Sequence, residues 1–257
     1  MEDVAEAFVG STAPLLLQLY PLRDHDLMTT IVDRARTAGF HGLMVTVDAP
    51  VSGRRETDMR HGFALDSQVH LPHLDGVGLA SRSPLLRFET MKDAAMTWEG
   101  LAWLRQQTDL PIWLKGVLRK EDVVHAAEEG YDGVVISNHG GRQLDVATAP
   151  LEALRGARRA LDTAGHRMAL LVDGGVRRGS DVLKALGLGA DAVMIGRPAV
   201  WGLAVNGQGG VAQVLNLLDQ ELTTTMRLAG CARLEHITPD LLTQVVGVPH
   251  LVDTSPS

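Results

Sequence analysis

Val134-Val135-Ile136-Ser137-Asn138-His139-Gly140-Gly141-Arg142-Gln143-Leu144-Asp145 passes within a few residues from a β-branched apolar run to a polar, glycine-bearing turn. An apolar run without alternation reads as a strand covered on both faces, as in a parallel sheet, and the turn is where it delivers side chains into a site. The turn carries a proton acceptor, His139, a fixed cation, Arg142, and paired glycines that let backbone approach a ligand. Taken alone, the segment reads equally well as a strand and an ordinary polar loop. Its surroundings decide.

The approach to this strand, Glu129-Gly130-Tyr131-Asp132-Gly133-Val134, recurs as Ala38-Gly39-Phe40-His41-Gly42-Leu43 and as Leu188-Gly189-Ala190-Asp191-Ala192-Val193. In each copy a helix closes at glycine and a strand begins three residues later, which is one unit of a parallel α/β fold. Pro14–Tyr20, Pro111–Gly116 and Met168–Asp173 complete a series of six strands, near 14–20, 42–48, 111–116, 133–137, 168–173 and 192–196. Apolar periodicity predicts helices near 27–38, 97–107, 120–129, 150–164 and 210–229, the last with Val211, Val214, Leu215, Leu218 and Leu222 as its buried face. Every strand ends in polar or glycine residues. A parallel barrel and a doubly wound open sheet both place their chemistry at that end, so this polarity does not choose between them.

From 49 to 110 no strand-like run occurs, which predicts a long loop plus a helix over the catalytic face. His70, His73 and Asp75 within it invite a metal reading, but neighbouring Pro72 and Gly76 point to an exposed loop, and no metal centre is expected. A net charge of -7 argues against a nucleic-acid partner held by general electrostatics. The single cysteine, Cys231, excludes an internal disulfide and a clustered zinc site, and suits a reducing compartment. No apolar run is long enough for a membrane span and the acidic start lacks signal-peptide order, so a cytoplasmic location is expected.

Two successive strand ends offer anion-binding backbone. Asp173-Gly174-Gly175-Val176-Arg177-Arg178-Gly179-Ser180 combines glycines with two arginines and a serine placed to cap the next helix. Gly196-Arg197-Pro198 repeats the idea after the last strand. Phosphate bound after the last two strands is a common barrel arrangement.

With these segments in view, the chain resembles the FMN-dependent L-α-hydroxy acid oxidases and dehydrogenases, the family of glycolate oxidase, lactate oxidase and mandelate dehydrogenase. The resemblance rests on Gln18-Leu19-Tyr20, Thr46-Val47-Asp48-Ala49-Pro50, Gly53-Arg54-Arg55-Glu56, Lys115-Gly116, Ser137 through Asp145, Asp173 through Gly179, and Ile195-Gly196-Arg197-Pro198. It implies a TIM (β/α)8-type barrel, here six of the eight strands, in a single domain over 1–257 whose 49–110 excursion forms the active-site loop and helix. It implies oxidation of a small L-2-hydroxy acid, with electrons passing to FMN and then to oxygen or another acceptor.

By motif, His139 resembles the catalytic base and Asp48 the carboxylate that stabilises its protonated form. Arg55 and Arg142 resemble the pair that grips the substrate carboxylate, and Tyr20 a donor to the substrate oxygens. Lys115 matches the cation beside the flavin N1/O2 edge. Gln18, Thr46 and Ser137 match flavin and ribityl contacts, and Asp173, Gly175, Arg177, Gly196 and Arg197 the ribityl and phosphate contacts. A homo-oligomer, tetrameric in the family, is implied.

Family members carry a longer N-terminal part with the first two barrel strands. The intact motifs favour a shortened form of a normal enzyme over a chain completed by a partner or a six-stranded remnant that binds FMN or phosphate without turnover. A related flavin barrel such as an isomerase or nucleotide dehydrogenase fits less well, since those chemistries do not need the arginine pair.

Overall fold

The computed structural model describes residues 1–63 and 84–243. Strands β1 (Leu16–Leu19), β2 (Gly42–Thr46), β3 (Ile112–Val117), β4 (Gly133–Ile136), β5 (Ala169–Val172) and β6 (Ala192–Val193) form one sheet in the order β1-β2-β3-β4-β5-β6. Every neighbouring pair is parallel. The order settles what strand polarity could not. A doubly wound sheet reverses its order at a switch point, whereas a barrel winds its strands in sequence.

The repeated helix-to-strand unit is built as its sequence suggests. Gly39, Gly130 and Gly189 all take left-handed backbone, with φ of 88°, 75° and 102°. Two residues after each glycine stands a side chain that accepts from a backbone N–H at the start of the neighbouring strand. His41 Nδ1 accepts from Leu15 (3.1 Å), Asp132 Oδ2 from Ile112 (2.8 Å) and Asp191 Oδ2 from Leu170 (2.7 Å). The unit thus closes its helix and aligns the adjacent strand with the same few residues.

Helices α1 (Glu2–Ala7), α2 (His25–Thr37), α3 (Glu56–Arg60), α4 (Pro84–Met91), α5 (Trp98–Gln106), α6 (Lys120–Glu128), α7 (Pro150–Ala164), α8 (Gly179–Gly187) and α9 (Arg197–Leu228) accompany the strands. Helices α1, α3 and α4 are too short for periodicity to announce. Helix α9 leaves helical geometry at Asn206 and Gly207, so it is two helices joined by a kink. Leu215 on it is 51% exposed, contrary to its place in the expected buried stripe. The rest of the stripe, Val211, Val214, Leu218 and Leu222, is half-buried, and Leu222 packs with Met226 against Leu183, Cys231 and Ile237. No described helix is long and apolar enough to cross a membrane.

The two faces of the sheet have different tasks. Leu43, Val45, Leu114, Val134, Ile136, Leu170 and Val172 turn towards the helices and form the core with Met28, Val32, Leu104, Val123, Leu154 and Leu161. Because side chains alternate along a strand, the other parity projects from the opposite face. That parity holds Gln18 and Tyr20, Thr46 and Asp48, Lys115, Ser137 and His139, and Asp173. The strands therefore carry a helix-packed core on one side and the polar residues of a site on the other.

Candidate active site

The β4 turn is the most constrained backbone of the face. His139 has φ of 57°, and Gly140 and Gly141 follow at 66° and 73°. Left-handed geometry at a non-glycine residue costs about 1 kcal/mol or more and persists only where neighbours impose it. Here the His139 N–H donates to Ser137 Oγ at 3.0 Å and the ring Nδ1 lies 3.0 Å from Asp48 Oδ1. With Nδ1–H donating to the carboxylate, Nε2 is left as the free acceptor. Both side chains are largely buried, at 17% and 13% exposure. Asp48 Oδ2 is buried and has no hydrogen-bond partner among the described residues.

Asp48 can lie there because residue 116 is glycine. Gly116 has φ of 105°, at a register shift between β3 and β4. A Cβ at this position would run into the Asp48 carboxylate, with Oδ1 at 2.6 Å.

Lys115, on the preceding residue, is buried and donates to Ser137 Oγ at 3.2 Å. It also pairs with Asp173 Oδ2 at 3.3 Å, while Asp173 Oδ1 is buried and has no partner among the described residues. Gln18 Nε2 donates to Thr46 Oγ1 at 2.9 Å, so β1 and β2 present a joined amide and hydroxyl. Burial, and secondarily the charge of Asp48, raises the Tyr20 pKa above its ordinary value, which keeps the phenol a donor at neutral pH.

A cavity of about 360 Å³ opens at this face, lined among others by Gln18, Tyr20, Lys115, His139, Arg142 and Asp173. At its other end lie Gly175, Arg177, Gly196 and Arg197. Thr46, Ser137 and Asp48 stand behind the lining and act on it through Gln18, Lys115 and His139. Arg55 is outside the lining; it is near enough to Tyr20 to favour the ionised phenol, and its buried Nε has no partner among the described residues. His70, His73 and Asp75 lie outside the described residues.

Three features escaped the sequence reading. Ser180 does not cap α8: Asp181 accepts from the backbone of Arg177 and Arg178 (both 3.1 Å), and Glu221 accepts from Gly179 at 2.9 Å. Arg178 turns to Glu221 at 2.9 Å, so of the adjacent arginines only Arg177 reaches the cavity. Two carboxylates already satisfy the start of α8, which leaves the glycine turns with Arg177 and Arg197 as the positively charged end of the cavity. Trp201, which belongs to no motif of the sequence, lines the cavity while 57% exposed.

The donor set fits a flavin mononucleotide. The orphaned Asp173 Oδ1 can accept from a ribityl hydroxyl, the Lys115 ammonium faces the same cavity, and two arginines mark one end for a phosphate. Fold and site together define a parallel α/β barrel-type protein with a His–Asp pair beside a phosphate-compatible cavity. Residues 1–244 match the model of the FMN-dependent dehydrogenase family, and the chain belongs to that family. It is 42% identical over 246 residues to Oxidase FUB9 of Fusarium oxysporum, covering 93% of this chain and 62% of that protein. It is 45% identical over 252 residues to an L-lactate oxidase of Nostoc sp., covering 94% of this chain and 68% of that protein. A mandelate oxidase variant with the C4a-OH-FMN adduct superposes with a TM-score of 0.80 at 41% identity, covering 93% of this chain and 65% of that one. The six strands are thus the corresponding part of a (β/α)8 barrel.

Proposed function

We propose that the protein oxidises a small L-2-hydroxy acid to the 2-oxo acid with FMN as its cofactor, within one domain spanning 1–257. The observation that carries this reading is the His139–Asp48 pair at 3.0 Å, set on a cavity that also holds Arg142, Lys115 and an arginine-flanked glycine end. FMN, when bound, supplies the two-electron acceptor, which oxygen or another acceptor then reoxidises.

The chain's own residues do the rest. His139 Nε2, the free acceptor, takes a proton from the substrate, and Asp48 stabilises the imidazolium that results. Arg142 and Arg55 grip the substrate carboxylate, for which a planar guanidinium is suited by geometry. Tyr20 donates to the substrate oxygens. Lys115 supplies the cation beside the electron-accepting end of the cofactor. Gln18, Thr46 and Ser137 orient the ring system and ribityl chain, and Asp173, Gly175, Arg177, Gly196 and Arg197 receive the ribityl and phosphate. Relatives named for lactate and mandelate oxidation point to this substrate class.

A second reading rests on the sheet edges. Among the described residues, strands β1 and β6 each pair on one side only, and Val200, Trp201 and Leu203, at the start of the helix that follows β6, are exposed. Such an edge invites pairing, so a partner chain carrying further strands, or self-association into a homo-oligomer, would complete the site. The test is reconstitution with FMN and anaerobic addition of L-lactate, alongside His139→Ala. Flavin bleaching that His139→Ala abolishes supports the enzyme reading for this chain alone. Binding without bleaching supports a site that needs completion, and failure to bind FMN overturns the enzyme reading for this chain alone.

A further inference from the structure

Strands β2 and β4 are not neighbours in the sheet, because β3 lies between them. The ladder therefore does not itself fix how the loop after β2 sits against the loop after β4. Yet the first carries Asp48 and Arg55, and the second carries His139 and Arg142. Each half of the base pair and each half of the carboxylate clamp stands on a different loop.

Gln143 joins the two loops. Its Nε2 donates to the carbonyl oxygens of Asp48 (3.2 Å) and Val51 (2.9 Å), and its Oε1 accepts from the Gly53 N–H at 3.2 Å. A neutral amide is the side chain that can donate twice and accept once at such a place. Opposite it, Gly53 lets the two backbones touch: a Cβ there would lie 2.6 Å from Gln143 Cα and would collide with the Arg142 carbonyl. The contact begins at Asp48 itself and ends two residues before Arg55.

We propose that Gln143 is a positioning residue: bonded to the 48–53 backbone against Gly53, it sets the spacing of Arg55 from Arg142 and of Asp48 from His139. The inference rests on the hydroxy-acid reading for its consequence, while the cross-link is a matter of structure. A clamp assembled from two loops grips a carboxylate tightly only if the loops are fixed relative to each other before binding. Gln143 is outside the cavity lining, so its loss should weaken carboxylate binding while leaving the phosphate end intact.

The experiment uses the full chain loaded with FMN and compares Gln143→Leu, Gln143→Glu and Gly53→Ala with the parent. Three readouts are taken: FMN affinity, pyruvate affinity from the perturbed flavin spectrum, and amide hydrogen exchange at Gly53, with the L-lactate KM measured where turnover occurs. Expected are pyruvate Kd and L-lactate KM raised about tenfold or more in all three variants, with FMN affinity within about twofold of the parent. Glutamate should fail like leucine, since it presents a carboxylate to two carbonyl oxygens. Faster Gly53 exchange in Gln143→Leu with unchanged pyruvate affinity overturns the positioning role, because the cross-link would then be structural alone. A parent that binds FMN but not pyruvate fails the substrate reading, and Gly53 exchange then decides the cross-link by itself: unchanged exchange in Gln143→Leu overturns it.

Discussion

Nδ1 of His139 stands 3.0 Å from Oδ1 of Asp48, a contact between residues 91 positions apart in the chain. Two strand ends converge to make it. The histidine is forced into left-handed backbone to reach the position, and the carboxylate occupies space that only a glycine at 116 leaves open.

Asp48→Asn tests the pair directly. An asparagine retains the size but cannot stabilise an imidazolium, and its amide can hold the ring in the wrong tautomer. Flavin reduction by L-lactate should slow by about 10²-fold or more, with FMN affinity unchanged. Rapid-mixing measurement of the reductive step checks this; a rate within a few-fold of the parent would remove Asp48 from the mechanism.

Arg142→Lys and Arg55→Lys distinguish a planar clamp from mere positive charge. Lysine keeps the charge but loses the paired donors, so KM for the hydroxy acid should rise by roughly tenfold or more in each. Arg55 lies outside the cavity lining and its Nε has no partner among the described residues, so binding of a carboxylate should draw it in. A KM unmoved by Arg55→Lys would restrict the clamp to Arg142.

Gly116→Ala attacks the site through its scaffold. At φ of 105°, with Asp48 Oδ1 only 2.6 Å from the added carbon, the methyl group has neither backbone nor space. A loss of about 1–3 kcal/mol in stability is expected from the backbone alone, together with loss of turnover. Denaturant melts of the variant, set beside its flavin reduction rate, check both.

Glu221 links α8 to α9 and predicts a pH effect. The Gly179 N–H, and then the Arg178 side chain, hold its carboxyl below the ordinary value of 4.5. As pH falls past 4.5 the unfolded chain binds this proton before the folded one does, so the stabilisation is present at neutral pH and lost in acid. Glu221→Gln should therefore lower Tm at pH 7, and the gap from the parent should narrow below 4.5. FMN affinity should not change, because this carboxylate occupies the start of α8 and not the cavity.

Much of the molecule was legible in local patterns. Gly39, Gly130 and Gly189 announced the helix ends because a left-handed residue there favours glycine, and the strands followed them. The site's parity was also present in the chain: Gln18 and Tyr20, Thr46 and Asp48, and Ser137 and His139 are each two apart, and residues two apart share a face of a strand. The chemistry-bearing residues could therefore be named before their contacts were known.

What lay beyond the sequence depends on which strand ends become neighbours. Winding in the order β1 to β6 is a property of the whole sheet, and it separates a barrel from an open doubly wound arrangement where strand polarity does not. Arg177 and Arg178 are identical in type and adjacent, yet one faces the cavity and the other Glu221, because α9 packs a carboxylate against the start of α8. Gln143 looked like one more polar residue in a turn; its three hydrogen bonds exist only because β2 and β4 flank β3 and their loops meet above it. Amino-acid type determined which chemistry each strand end could offer, since donors, acceptors and charges belong to the side chain. Tertiary structure decided which of them act together, since hydrogen bonds and ion pairs reach only a few ångströms and the chain must fold before those distances exist.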